Sequence, residues 1–89
     1  MIRTDKIGSA LYAINGLLFR SRAMAYNHDD HEAIAEVLDF AEYLPILMAS
    51  PDDHTEEFRC FLEGLSARHP AFRFVLERFD EPAPARWWE

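Results

Sequence analysis

Residues 30–44 read DHEAIAEVLDFAEYL, and their spacing decides the fold class. Ile34, Val37, Leu38, Ala41 and Leu44 recur at three- and four-residue intervals, which a 3.6-residue period gathers on one face. Glu32, Glu36, Asp39 and Glu42 then fall on the opposite face. The period-two alternation of a half-buried strand is missing. The stretch reads as an amphipathic helix with an acidic outer stripe. Asn27-His28-Asp29-Asp30 breaks the preceding pattern and supplies capping side chains. Pro45, without an amide donor, is expected to kink or end the helix, because Ile46 and Leu47 continued in phase would land on the acidic face.

The same logic extends in both directions. Upstream, a first helix is expected from Thr4 or Asp5 to Tyr26, with Ile7, Leu11, Ile14, Leu18 and Ala25 along one stripe. Tyr12, Phe19 and Tyr26 recur every seven residues on a second face, beside Ser9, Gly16 and Ala23. A helix apolar nearly all round is covered on several sides. In so short a chain that implies a homodimer, with Tyr12, Gly16, Phe19, Ala23 and Tyr26 as its interface. Downstream, Ser50-Pro51-Asp52-Asp53 predicts a helix start at Pro51. Phe58, Phe61, Leu62 and Leu65 form the core stripe of that third helix, and Cys60, Gly64 and Ala67 a narrow face for close packing. Arg68-His69-Pro70 stops it. A short fourth helix follows, with Phe72, Val75, Leu76 and Phe79 inward. The expected fold is all-α: a compact bundle of three main helices plus a short fourth, one domain over residues 1–81, and an extended tail over residues 82–89 in which Trp87 and Trp88 fold back on the bundle.

With 49% apolar and 13% aromatic residues the chain is too rich for an acidic disordered segment. At 89 residues it has only a small core. Cys60 stands alone, so no internal disulfide is available and a reducing cytoplasm is the expected location. Residues 7–19 are apolar behind Arg3 and Lys6, but Asn15, Gly16, Arg20 and Arg22 make the segment a helix of the folded protein rather than an export signal. No run approaches the ~18 residues of a membrane span.

Charge is segregated. From Ala23 to Phe58 there is no Lys or Arg, against ten carboxylates, while the residues before Ala23 carry Arg3, Lys6, Arg20 and Arg22 against Asp5 alone. The formal charge of −7 and isoelectric point near 4.9 disfavour direct nucleic-acid binding, which requires a basic patch. No glycine-rich phosphate loop, paired acid and base, or metalloprotease helix is present. Cys60 beside the i, i+4 pair Arg59 and Glu63 is expected to be structural. No catalytic residue and no cofactor are assigned. The expected role is a non-enzymatic interaction or regulatory protein, with Glu32, Glu36, Asp39 and Glu42 docking on a basic partner protein. The alternative is a metal-binding sensor or metalloenzyme subunit using His28, His31 and His54 with neighbouring acids. Capping and helix-dipole preferences explain those residues without a metal, so no metal ligands are assigned.

Overall fold

The computed structural model of the chain describes residues 1–27 and 30–89. After a 3-10 turn at Thr4–Lys6 come α1 (Ile7–Tyr26), α2 (His31–Ala49) and α3 (Thr55–Arg68), then a second 3-10 turn at Pro70–Phe72 and α4 (Arg73–Asp80). The all-α bundle of three main helices and a short fourth is therefore what the chain forms. Consecutive helices run antiparallel. Arg59 meets Asp80 while Ser66 meets Phe72, and Glu36 meets Arg68 while Phe40 stacks on Phe61. Helix α4 returns along α1, with Arg78 at Tyr12 and Phe74 at Gly16.

The core is one cluster to which all four helices contribute. Phe58, Leu62 and Leu65 of α3, Phe72 and Val75, and Leu17 and Ala13 of α1 are all fully or nearly fully buried. Phe58 packs between Phe40 and Phe79, with centroid distances of 5.4 and 5.2 Å. Residues 1–3 close one end: Ile2 is buried, His54 N donates to Met1 O at 2.7 Å, and Arg3 N donates to Thr55 Oγ1 at 2.9 Å.

Several expectations are corrected. Helix α2 runs through Pro45 to Ala49, because its inward face is centred on Ala33, Val37, Phe40 and Leu47 rather than on the stripe containing Leu38. Leu47 lies seven residues after Phe40 and is buried with it. Burying a leucine contributes about 1.5–3 kcal/mol, comparable with the ~3 kcal/mol cost of a helical proline. Helix α3 starts at Thr55, not Pro51. Residues 50–54 instead form a loop in which Ser50 Oγ accepts from Asp52 N at 3.2 Å and Asp53 Oδ1 from Thr55 N at 2.9 Å. Hydrogen bonds from the Thr55 side chain and backbone hold the Asp53 carboxyl below its usual range.

On α1 the buried apolar side chains are Ala10, Ala13, Leu17 and Met24, while Leu11 and Leu18 are 46% and 51% exposed. The small face on α3 packs nothing closely: Cys60 and Ala67 are exposed, and Gly64 meets only the Arg68 side chain. The close approach is at Gly16, where an added Cβ would stand 2.8 Å from Phe74 Cε2 and 3.2 Å from Val75 Cγ1. As expected, the tail folds back, but as a turn over residues 85–88 and not as an extended strand. Trp87 lies 5.1 Å from Tyr12, and Trp88 remains 69% exposed.

Candidate functional site

The acidic residues of α2 divide into two groups. Asp30 caps the helix, its Oδ1 accepting from Ala33 N at 3.1 Å. Glu36, half-buried, is claimed by the end of α3: Arg68 Nε donates to its Oε1 at 3.1 Å, and His69 Nε2 lies 3.0 Å from its Oε2. The other ring nitrogen of His69 is 3.4 Å from Asp30 Oδ2. His69 thus clasps two turns of α2 to the α3–α4 corner. Sequence spacing marked it only as part of a helix stop. A histidine just past a helix C-terminus favours nearby carboxylates, but which ones depended on how α2 lies against α3.

Glu32, Asp39 and Glu42 remain exposed, and none forms an ion pair with another described residue. The expected four-residue docking stripe is therefore a set of three free carboxylates, with Glu36 withdrawn as an internal tie. Apolar side chains interrupt the set: Leu38, Tyr43 and Ile46 are 57%, 47% and 62% exposed on the same helix.

Beside Asp39 runs an open groove between α2 and α3, lined by Glu36, Asp39, Phe40, Tyr43, Phe61 and Arg68. Its floor is the Phe40–Phe61 stack, with rings 3.9 Å apart and 9° from parallel. A free carboxylate at the rim of an aromatic floor suits a cationic side chain with an apolar stem. Such a groove is invisible in sequence, because Asp39 and Phe61 are 22 positions apart.

The expected dimer-interface residues are also separated. Gly16 is covered by α4, and Tyr12 lies under Arg78, whose guanidinium carbon is 4.1 Å from the ring centre, and beside Trp87. Those two are interior contacts of one chain, because α4 and the tail already occupy that side of α1. Ala23 is half-buried, whereas Phe19 and Tyr26 are 72% and 73% exposed.

His54 has both ring nitrogens engaged within its loop, Nδ1 at 3.0 Å from Glu57 Oε1 and Nε2 at 3.0 Å from Ser50 Oγ. His31 is exposed, and His28 lies outside the described residues. Among the described residues no three His, Cys, Asp or Glu side chains converge as a metal site would require. Arg59 spans α3 and α4 through two bonds to Asp80, at 2.9 and 3.0 Å, besides its bond to Glu63. Its guanidinium pKa is raised, chiefly by the hydrogen bonds to Asp80. No helix is long and apolar enough to cross a membrane among the described residues. No family model matches the chain, and neither a curated protein nor a solved structure shows detectable similarity to it.

Proposed function

We propose that the protein acts in the cytoplasm by binding a basic partner protein, with no chemistry of its own, and that the partner docks along the α2–α3 edge. The observation that carries this reading is the coincidence of unpaired Asp39 with the Phe40–Phe61 floor and half-exposed Tyr43. A partner arginine or lysine lays its stem on the aromatic rings and its charge against Asp39, with Glu32 and Glu42 steering the approach. Glu36 supports the groove from within by fixing Arg68 and His69.

Exposed charges are screened beyond a Debye length of ~8 Å at physiological salt, so partner association slows as salt is raised. The test is co-purification from the native host with the wild-type chain and with a Glu32→Lys/Asp39→Lys/Glu42→Lys variant, compared by quantitative mass spectrometry. A basic protein retained by the first and lost by the second, with helical circular dichroism unchanged, is the expected result. Equal retention by both would reduce the carboxylates to a solvated face.

A further inference from the structure

The outward face of the α1–α2 hairpin leaves several large apolar side chains open to solvent. At 100° per residue, Leu11, Leu18, Arg22 and Tyr26 share one side of α1, with Phe19 at its margin. On α2 the corresponding side carries Leu38, Glu42 and Ile46. All six apolar residues in these two sets are more than 45% exposed. Contiguous apolar surface of this kind marks an interface. The two helices also differ in sign. Helix α1 contains Arg20 and Arg22 and no carboxylate; α2 contains Glu32, Glu36, Asp39 and Glu42 and no Lys or Arg.

On the face itself α1 presents Arg22, since Arg20 turns to Phe74 of α4, and α2 presents Glu42, since Glu36 is tied to Arg68; a two-fold axis parallel to the helices then makes the face complementary to itself. We propose that this face is covered by the same face of a second copy, α1 of each chain lying antiparallel on α2 of the other. The competing two-fold, perpendicular to the helices within the interface, would set α1 on α1 and α2 on α2. It would bring like charges together. In the favoured arrangement residues keep their height along the axis, so Leu18 meets the level of Leu38 in the other chain, and Leu11 that of Ile46. Arg22 comes within one turn of Glu32 and Asp39 at the rim. This inference is separate from the basic-partner reading, although both draw on Glu32, Asp39 and Glu42; Leu18→Arg leaves all three in place, so the two readings fail separately.

Sedimentation and light scattering of the purified full chain test it directly. The expected result is twice the chain mass at micromolar concentration. Leu18→Arg should raise the dimer dissociation constant roughly tenfold or more, with circular dichroism unchanged. A monomer at every concentration overturns the proposal, as does a Leu18→Arg variant that dimerises like the parent. A second variant reads the axis: Arg22→Glu should weaken the dimer, and combining it with Glu32→Lys/Asp39→Lys should restore it, because only the favoured arrangement brings Arg22 near these carboxylates of the other chain. A persistent dimer indifferent to Arg22→Glu overturns the axis.

Discussion

The two sides of α1 look alike in sequence and differ completely in the folded chain. Toward α4, Gly16 admits Phe74 and Val75 so closely that an added Cβ would force a side chain to shift, and Tyr12 is enclosed by Arg78 and Trp87. A ladder of rings and guanidinium groups continues from Trp87 through Tyr12, Arg78 and Phe74 to Arg20. Away from the core, Leu11, Leu18, Phe19 and Tyr26 stand open. One side is closed by the chain's own C-terminal third and the other is left open. Apolar content therefore identifies a surface to be covered, while the covering element comes from topology.

Neighbouring leucines give the strongest test of that contrast. Leu17 is 2% exposed and Leu18 is half-exposed. Leu17→Ala should cost about 2–5 kcal/mol in urea unfolding, the range for a buried leucine. Leu18→Ala should stay within about 0.5 kcal/mol, measured at the lowest workable concentration so that self-association adds nothing. Similar losses for the two would mean that the buried face of α1 is wrongly assigned.

Glycines probe the closed side at smaller amplitude. Alanine is better than glycine in a helix by nearly 1 kcal/mol, yet Gly16→Ala should destabilise by roughly 1–2 kcal/mol, since overpacking against Phe74 and Val75 outweighs the propensity. Gly8 has open space around its would-be Cβ, so Gly8→Ala should stabilise, by up to about 1 kcal/mol. Thermal melts of the two variants should move in opposite directions. A shared direction would remove the close approach of α4 from the account.

The tail gives the finest comparison. Trp87 touches Tyr12, and an aromatic pair contributes about 0.5–1.5 kcal/mol beyond its buried area. Trp87→Ala should lower stability by about that much and strip the tail of its protection from proteolysis. Trp88→Ala should change neither by more than about 0.5 kcal/mol. If Trp88 proved the more costly to remove, the tail would be docked through the wrong ring.

The helix boundaries that were legible in sequence rest on local physics. Asp30 caps α2 with its own carboxylate, Pro70 follows the end of α3, and the four inward residues of the last helical segment sit at i, i+3, i+4 and i+7. Pro45 and the Ser50–Asp53 stretch misled because their local signals were outweighed from outside. The burial of Leu47 carries α2 past the proline, and the chain entering at Met1–Arg3 bonds to His54 and Thr55 in the loop. The acidic stripe was legible as a stripe, but the loss of Glu36 to Arg68 and His69, and the gain of an aromatic floor from Phe61, required α3 to lie against α2.

By itself, then, the sequence determined that this chain is helical, where its helices lie except at the end of α2 and the start of α3, and that α1 carries basic side chains without carboxylates and α2 carboxylates without Lys or Arg. Those properties follow from backbone sterics, periodicity and the identity of side chains near one another in the chain. The tertiary structure alone decided which apolar face of α1 is interior, which carboxylates stay free, and which glycine sits at a close approach. The hydrophobic effect is non-directional: it rewards covering Leu17 or Leu18 alike, and only the positions taken by α2, α3 and α4 say which is covered.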